Sequence, residues 1–333
     1  MRKGSVWQLD GLPATPTQNL PREKWLELRR SGIGGSDIAG ILDISPWSTP
    51  LAVYCDKAGL RPDRDPTDAM EFGLRMEPEL RRWAKDEINK QFATTDEYLA
   101  TGGYNVLSSP YLYQYPTIPE FIGNLDGVVI NDDHVVAGLE IKTVDRFAGK
   151  DWKDGAIPEY YEMQAQWYMG VTGLAWWIIA ALIGKRFELR SLNRDQEKIN
   201  KAQSAAFHFW KKYVVPRIMP EATGDDTHLL LELFADSSED IIQDENMEET
   251  CAEYSLIQKN IKAMEDRRDE RKAAIMQRIG DAKGMQAGAY KAIWSRYVQS
   301  RVDSKKLKAD YPDVYAAVTK ESVSGRLTVK GEG

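Results

Sequence analysis

Two β-branched segments separated by a polar turn constrain the fold of this chain more than any other feature. Residues 122–130 (IGNLDGVVI) and 135–143 (VVAGLEIKT) flank the polar stretch NDDH, and their valine and isoleucine content predicts a β-hairpin. Side chains two apart on a strand share a face, so Glu140 and Lys142 point to one side and Ile141 to the other. The hairpin therefore presents a carboxylate and an ammonium on one surface.

Asp126, on the first segment, joins that surface only under a condition on the hairpin register. Its partner must be an even-numbered residue, which requires a three- or five-residue loop or a bulge. A plain four-residue loop at 131–134 would place Asp126 and Glu140 on opposite faces. An isolated Asp plus Glu-x-Lys pattern is weak, because such triplets are common at ordinary strand ends with solvated charges.

If the three side chains do meet, they form the minimum set for cutting a phosphodiester with Mg²⁺. Asp126 and Glu140 supply hard oxygen ligands, which suit an ion that keeps waters for the reaction. Lys142 steadies the attacking water or the developing negative charge. The sequence thus contains a candidate metal-dependent hydrolase site.

Composition sets broad limits on the class of protein. With 333 residues, 42% hydrophobic and 29% charged, the chain is expected to be soluble and globular, with one large domain and an appendage. No apolar segment approaches the ~20 residues of a membrane span, and residues 1–10 lack the apolar core of a secretory signal, so we expect a cytoplasmic protein without a membrane partner. Cys55, Cys251 and the three histidines show no zinc or iron-sulfur spacing, which indicates oxygen ligands for any metal.

Charge is unevenly distributed along the chain. The net charge of -7 is not typical of a protein that grips phosphate. By segment, residues 1–235 carry about -6, residues 236–270 about -8 and residues 271–333 about +7. The basic C-terminal segment is either a charged helical surface after a solvated linker, or a tail that contacts DNA or a protein.

A glycine turn between two helices near the N-terminus predicts an anion site. The stretch REKWLELRR after Pro21 is typical of a helix that Gly32 ends, and a second helix begins near Gly35 and Ser36. Backbone N–H groups at such a helix start, together with the Ser36 hydroxyl, favour an anion, and Arg29 could clamp a phosphate. The alternative is that Ser36 only caps its own helix and Arg29 lies in a surface ion pair.

A longer helix is predicted from Thr67 to Asn89, with an acid on its apolar side. The stripe repeats at intervals of three and four and consists of Gly73, Glu77, Leu80, Ala84 and Ile88. A carboxylate there needs a partner or a metal, because burying it unpaired is costly. Since Pro78 is comfortable only in a first turn, the helix is expected to begin or kink at Glu77, which leaves open a first-turn acid on the helix dipole.

The segment after the hairpin predicts a helix and two more strands. The helix spans Pro158 to Val171 and ends before Gly173, and its spacing places Gln164 on the inward side. Gln164 could orient a water or a phosphate oxygen, or it could be a satisfied polar group in the core. A buried strand at 175–183 and an edge strand at 186–192 complete an α/β fold around a central sheet.

The C-terminal region is predicted to form a separate extension. Glu248 to Ile279 is helical, with apolar spacing typical of a short coiled coil or a helical hairpin. Residues 286–298 and 324–330 are interpreted as strands around a helix at Ser304 to Asp310. Partner docking, oligomerisation or an extra DNA contact are the hypotheses for this segment, with Trp294, Arg296 and Arg301 as candidate contacts.

The ordered series of motifs resembles the YqaJ-like viral recombinase family, the phage lambda-exonuclease-like branch of the PD-(D/E)XK nucleases. The resemblance covers about residues 20–215. It is carried by Trp25-Leu26-Glu27-Leu28-Arg29, Gly34-Gly35-Ser36-Asp37, Ser45-Pro46-Trp47, Gly73 to Glu77-Pro78, Asp126-Gly127, Glu140-Ile141-Lys142 and Gln164 to Tyr168.

The resemblance implies a restriction-endonuclease-like α/β core, with a central mixed β-sheet flanked by helices, and a C-terminal helical and β extension. The expected organisation is an N-terminal arm at 1–20, the nuclease core at 21–220, an acidic linker at 221–245 and the extension at 246–333.

The resemblance also implies an activity and its partners. A relative of this family is expected to be a Mg²⁺-dependent 5′-to-3′ exonuclease on linear double-stranded DNA, with one or two ions and Mn²⁺ able to substitute. It would leave 3′ overhangs for a phage single-strand annealing protein, in the cytoplasm of a bacterial host carrying a phage or prophage. Relatives often form a ring-shaped trimer around DNA.

The catalytic roles that the resemblance implies fall on the hairpin and the long helix. Asp126 and Glu140 would be metal ligands, with the carbonyl of Ile141 as a third. Lys142 would activate or position the water, and Glu77 would be the helix-borne acid near a second metal.

The remaining implied roles concern the substrate. Gln164, together with Tyr161, would orient the water or the DNA. Arg29, Ser36 and Gly35 would bind the terminal 5′-phosphate and so give the enzyme its preference for ends.

Two alternatives differ from the exonuclease in activity. An endonuclease or repair nuclease of the same fold would cut circular or end-blocked duplex, which an exonuclease cannot. A non-catalytic DNA-binding module is disfavoured because Asp126, Glu140, Lys142, Glu77 and Gln164 are all present.

Overall fold

The structure is a computed structural model that describes residues 6–61, 67–92, 103–236, 240–320 and 324–331. It divides into two compact units, Met1–Leu233 and Phe234–Gly333, and the boundary lies within the predicted acidic linker. Among the described residues, no helix combines the length and the apolar character needed to cross a membrane.

The first unit is organised around a six-stranded mixed sheet whose spatial order follows the chain. All neighbouring strands are antiparallel except β4 and β5, which are parallel and are joined by a helical crossover. The strands are β1 (Ala14–Pro16), β2 (Tyr104–Tyr115), β3 (Ile118–Asn131), β4 (His134–Val144), β5 (Trp176–Ile183) and β6 (Arg186–Asn193). The predicted central mixed sheet is confirmed, although the sequence patterns did not single out β1 and β2.

Helices cover both faces of this sheet. They are α1 (Arg22–Arg30), α2 (Gly35–Ile41), α3 (Pro50–Lys57), α4 (Asp68–Phe92), α5 (Glu159–Thr172), α6 (Gln196–Phe209) and α7 (Thr227–Leu233). On β5, Trp177 and Ile179 enter the larger core with α2, α5 and α6, while Ile178 and Ala180 enter the smaller core with α4. A strand that is buried on both faces has an unbroken apolar sequence, and the sequence of β5, WWIIAALI, has this pattern.

The hairpin of β3 and β4 meets the register condition through a bulge. Its turn is only Asp132 and Asp133, since Asn131 pairs with His134. The register then shifts, because Ile130 pairs with Val135 but Val129 pairs with Ala137, so Val136 is the extra residue. Gly127 lies opposite Leu139, and this register places Asp126 opposite Glu140 on a shared face.

The described part of the predicted N-terminal arm packs on the sheet. Trp7 donates its backbone N–H to the Ser108 carbonyl at 2.8 Å, and its side chain is buried in the larger core. The Leu9 N–H donates to the Tyr113 hydroxyl at 3.0 Å. Together with β1, these contacts make residues 6–16 part of the edge of the sheet.

The second unit has one long helix and a small hairpin. Its elements are α8 (Glu248–Ile279), β7 (Gly284–Ala287), β8 (Tyr290–Ile293), α9 (Ser304–Asp310) and α10 (Pro312–Val318). The predicted bounds of α8 and α9 are confirmed, and α8 is one continuous helix; a coiled coil with another chain stays a prediction. The strand interpretation of 286–298 is correct only for the hairpin, and that of 324–330 is wrong, because this described segment is irregular.

Candidate active site

The candidate site lies where β3 and β4 separate. From Gly127 to Asn131 the two strands are paired, but before Gly127 β3 pairs only with β2, and beyond Leu139 β4 pairs only with β5. The Asp126 carboxylate crosses the opening and accepts the Ile141 N–H at 2.7 Å. The N–H and C=O of one strand residue point to the same side, so the Ile141 carbonyl also faces the opening.

The turn between α1 and α2 occupies the edge of β3 that β4 leaves free. Ile33 donates its N–H to the Glu120 carbonyl at 2.7 Å and accepts the Ile122 N–H at 2.9 Å. Glycine is required at position 32, because a Cβ there would lie 2.4 Å from the Glu120 oxygen. These bonds hold the beginning of α2 beside the opening in the sheet.

Glu140, Lys142 and Gln164 form a closed hydrogen-bonded triangle. The Lys142 ammonium donates to Glu140 Oε1 at 2.6 Å and to Gln164 Oε1 at 2.9 Å, and Gln164 Nε2 donates to Glu140 Oε1 at 2.7 Å. The same amide nitrogen donates to the Tyr168 hydroxyl at 3.2 Å. Gln164 faces inward, as its helical spacing predicts, and fixes the acid and the lysine relative to each other.

Burial changes the protonation behaviour of this triangle. Loss of solvent, and next the charge of Asp126, raise the pKa of Glu140 to about 8 against the opposing effect of Lys142. Burial also raises the pKa of Asp126. Burial by itself lowers the pKa of Lys142, but the charges of Glu140 and Asp126 outweigh it, so the pKa is raised overall. Lys142 is therefore an ammonium in the metal-free protein.

Glu77 reaches the site from the middle of α4. The helix continues through Pro78, so the expectation that it begins there is wrong and Glu77 is not a first-turn acid. A kink at Pro78 stays a prediction. Its carboxylate is paired with Arg81, whose Nε donates to the Asp126 carbonyl at 3.0 Å. Burial, followed by the Asp126 charge, raises the pKa of Glu77 to about 7.

The donor set fits a hard divalent cation. Glu140 Oε2 is buried and has no hydrogen-bond partner among the described residues. The charge of Asp126 raises the pKa of both Glu77 and Glu140, and a cation would relieve this repulsion. Within the described ranges, no three Asp, Glu, His or Cys side chains converge closely enough to hold an ion alone. The Ile141 carbonyl and waters would complete the coordination, as Mg²⁺ favours.

The turn after α1 and the acidic site share one cavity. This cavity has a volume of about 180 Å³ and is lined by residues of both groups: Trp25, Arg29, Gly34, Gly35, Ser36, Asp37, Leu112, Ile122, Asn124, Asp126, Glu140, Gln164 and Tyr168. Arg29 Nη2 donates to Ser36 Oγ at 3.0 Å, so the two residues predicted to bind a phosphate are in contact. A Cβ on Gly35 would lie 2.6 Å from the Tyr168 ring, which explains a glycine there.

Tyr161 is an aromatic neighbour of Lys142. The ammonium is 4.7 Å from the centre of the Tyr161 ring, in a cation–π arrangement, and Tyr161 does not line the cavity of Arg29 and Ser36. Its ring also packs against Trp152, which is buried in the 3₁₀ segment Arg146–Gly155. Tyr161 thus contacts Lys142 and does not meet the predicted phosphate pocket.

Sequence reasoning missed several residues that build the site. Lys57, with a fully buried side chain, pairs with Asp37 at 2.6 Å and donates to the Arg29 carbonyl at 3.2 Å. Asp37 in turn accepts the Gly34 N–H at 2.7 Å. The available signal was a lysine at the end of the helix PLAVYCDK, in which Asp56 is the only other charged residue.

Asn124 and Arg81 were also missed. Asn124 precedes Asp126 by two residues, so strand alternation would have placed it on the same face; its buried Oδ1 has no partner among the described residues. Arg81 follows Glu77 by four residues, the spacing of a helical ion pair, but its bond to Asp126 depends on the tertiary fold.

Comparison with known proteins agrees with this arrangement. Residues 24–175 match the YqaJ-like viral recombinase domain. Over this segment the chain is similar to that family. The YqaJ-like domain accordingly includes the turn after α1, the paired strands β3 and β4, and Gln164 on α5.

Individual relatives extend the comparison. The uncharacterized protein YqaJ of Bacillus subtilis is 29% identical over 319 residues, which cover 93% of this chain and 95% of that protein. Two crystal structures of an alkaline exonuclease from Laribacter hongkongensis, one in complex with dAMP, are 20% identical, with TM-scores of 0.44 and 0.45. Each covers 57% of this chain and 91% of the exonuclease.

Proposed function

We propose that this chain is a metal-dependent DNA nuclease that degrades one strand of linear double-stranded DNA from the 5′ end. The observation that carries the proposal is the cavity shared by Glu140 and the Arg29–Ser36 pair. One part of this cavity has the groups for hydrolysis, and the other has donors for a terminal phosphate. An enzyme that cuts only at ends needs both within one nucleotide's reach.

Asp126, Glu140 and the Ile141 carbonyl would hold Mg²⁺, or Mn²⁺ in its place, with Glu77 near a second ion. The bound ion supplies a more acidic water and stabilises charge on the phosphoryl oxygens. We assign the remaining steps to this chain's own side chains. With two ions Glu77 would be a metal ligand, whereas with one ion it would only accept a hydrogen bond from Arg81.

Lys142 acts as a charged donor in this proposal. As an ammonium it cannot accept the water's proton. It can donate a hydrogen bond to the water oxygen and stabilise the negative charge that develops as the phosphodiester is cleaved. Gln164 positions Lys142 and Glu140 through its two amide atoms. The Tyr161 ring adds a cation–π contact to the ammonium.

Arg29 and Ser36 would bind the terminal 5′-phosphate. A guanidinium presents a planar fork that matches phosphate oxygens, and the Ser36 hydroxyl adds a further donor. Gly35 permits this approach because it has no side chain toward Tyr168. Lys57 keeps Arg29 in place through the Arg29 carbonyl.

The viral recombinase description of the family supports a role in phage recombination. The 3′ overhangs left by a 5′-to-3′ exonuclease are the substrate of a single-strand annealing protein, which we propose as the protein partner. By the same resemblance we expect a homo-oligomer, a ring trimer, acting on DNA ends in the cytoplasm of a bacterial host that carries the phage or prophage.

The test is a digest of three substrates with Mg²⁺: linear duplex with a 5′-phosphate, linear duplex without it, and a covalently closed circle. We expect fast cutting of the first, slower cutting of the second and none of the third. Lys142→Ala should lower the rate about 100- to 1000-fold. Cutting of the circle would favour the endonuclease alternative, and full activity of both Lys142→Ala and Glu140→Gln would refute the site.

A further inference from the structure

Trp47 is an exposed aromatic ring beside the active site that the proposed hydrolysis does not use. It lies after α2 and is 69% exposed. Its ring contacts Tyr160 edge-on, with centroids 5.0 Å apart, and Tyr161 with centroids 6.1 Å apart. A single exposed apolar side chain needs no ligand in general, but Trp47 differs because it continues an aromatic row that begins at the catalytic lysine.

The row brings Trp47 within reach of the substrate. The Lys142 ammonium is 4.7 Å from the Tyr161 ring, and the next step of 6.1 Å leads to Trp47, so the Trp47 ring lies within about 11 Å of the ammonium. Nucleotides along one strand of duplex DNA are spaced by about 3.4 Å. Trp47 is therefore no more than about three nucleotides from a phosphate at Lys142.

The loop that carries Trp47 is held by its own hydrogen bonds. The backbone N–H groups of Ile44 and Ser45 donate to the Ala39 carbonyl at 3.0 and 3.2 Å, after Asp43 turns the chain with a φ of 55°. The Trp47 N–H then donates to Ser45 Oγ at 3.2 Å. The backbone at Trp47 is fixed by these bonds and its ring packs against Tyr160 and Tyr161, so it loses little conformational entropy when a ligand covers it.

Charge beside Trp47 favours a base over a phosphate. A cavity of about 380 Å³ adjoins the ring, and its wall includes the carboxylates of Asp225, Asp226 and Glu232. The basic side chains of the wall are those of Arg61 and His228, and His228 Nδ1 lies 3.1 Å from Glu232 Oε1. The excess of carboxylates over basic groups in this wall repels the sugar-phosphate backbone, whereas an uncharged nucleobase can stack on the ring without that cost.

We propose that Trp47 stacks on an unpaired base of the strand being cut, within three nucleotides of the reacting phosphate. The inference rests on the proposed nuclease function and adds to it a site that holds the end of the duplex open. Because every base has a π-face, this contact is expected to tolerate any sequence.

The test measures affinity for duplex with a short unpaired 5′ end, in EDTA so that the DNA is not cut. Trp47→Ala should weaken binding about 5- to 150-fold, the range for loss of one base–aromatic stack, and Trp47→Phe should retain most of the affinity. Phe207→Ala, which removes an exposed ring on α6, is the matched control and should bind as wild type does. Equal thermal stability of the variants excludes misfolding as the cause.

A second experiment replaces the first three nucleotides by abasic sites, which gives a double-mutant cycle between the Trp47 ring and the bases. Wild type should bind abasic DNA as weakly as Trp47→Ala binds intact DNA, and Trp47→Ala should be indifferent to the missing bases. Equal weakening of both proteins by abasic DNA would overturn the stacking role. Cutting of intact linear DNA by wild type is measured in a separate assay. The absence of cutting would refute the nuclease function, whereas a failed binding test would refute only the stacking role of Trp47.

Discussion

The Asp126 carboxylate accepts the Ile141 N–H at 2.7 Å, at the point where β3 and β4 stop pairing. The bond replaces the ladder hydrogen bond that the separating strands lose, and it turns the Ile141 carbonyl toward the opening. Asp126 thus has a structural and a proposed metal-binding role that substitution can separate.

Asp126→Asn and Asp126→Ala should differ in stability but not in activity. The asparagine can still accept the Ile141 N–H, whereas alanine leaves it unpaired, which should cost about 1–3 kcal/mol in the free energy of unfolding. Both lose the charge for the metal, so both should lose nuclease activity. Urea denaturation with single-turnover digestion checks this, and equal stability of the two variants would contradict the structural role.

Metal affinity should increase with pH up to about 8. The Glu140 carboxyl, with a pKa of about 8 without metal, must lose its proton to bind a cation, so protons compete with the metal at lower pH. The Mg²⁺ concentration for half-maximal cutting should fall as the pH increases from 6 to about 8, and then level off. Titrations of Mg²⁺ at several pH values measure it, and a flat profile would argue against Glu140 as a ligand.

The same raised pKa has a consequence for stability. A carboxyl whose pKa is higher in the folded than in the unfolded state binds more protons when folded, so its contribution makes the metal-free protein less stable as pH increases from about 4.5 to about 8. Glu140→Gln cannot titrate at this position, so its free energy of unfolding should fall less between pH 5 and pH 8 than that of wild type does, and the variant should not cut DNA. Urea denaturation of both proteins in EDTA at pH 5 and pH 8 is the measurement, and an equal fall in the free energy of unfolding of both proteins would contradict it.

Arg29→Ala should reduce the preference for 5′-phosphorylated ends about tenfold or more, because a charge-assisted hydrogen bond to the phosphate is lost. Cutting of ends without a phosphate should change little. Arg29→Lys keeps the charge without the planar fork and should restore only part of the preference. Competition between the two kinds of end in one digest gives the ratio, and an equal loss on both would count against a pocket role.

Gly35→Ala should destabilise the site, whereas Gly34→Ala should be tolerated. A Cβ at position 35 would meet the Tyr168 ring at 2.6 Å and Gln164 Cγ at 3.0 Å, but at position 34 the nearest atom is 3.5 Å away. Overpacking of this kind costs about 1–3 kcal/mol and would displace Gln164. Thermal melts and cutting rates of the two variants form a matched pair, and similar behaviour of both would show that Tyr168 moves aside freely.

Local patterns were sufficient for part of the fold and site. The period of two placed Glu140 and Lys142 on one face, and the helical period placed Gln164 inward and Leu80, Ala84 and Ile88 in the core. Helix signals gave α8 its observed bounds from Glu248 to Ile279. These features depend on residues a few positions apart, whose geometry the backbone fixes.

Other features depend on contacts between distant segments. The sequence by itself determined that Asp126 could join Glu140 only with an altered register, but not that an extra residue, Val136, would supply it. Likewise, Pro78 alone favoured a helix start, yet packing of α4 against the sheet keeps the helix continuous.

The sequence therefore determined which residues are candidates for the chemistry and which face Glu140, Lys142 and Gln164 occupy on their own elements. Only the tertiary structure decided that β3 and β4 separate at Asp126, that the turn before α2 fills the gap, and that Arg29 and Glu140 line one cavity. The physical reason is that strand register and the pairing of free strand edges are set by hydrogen bonds between residues far apart in the chain, which no local periodicity records.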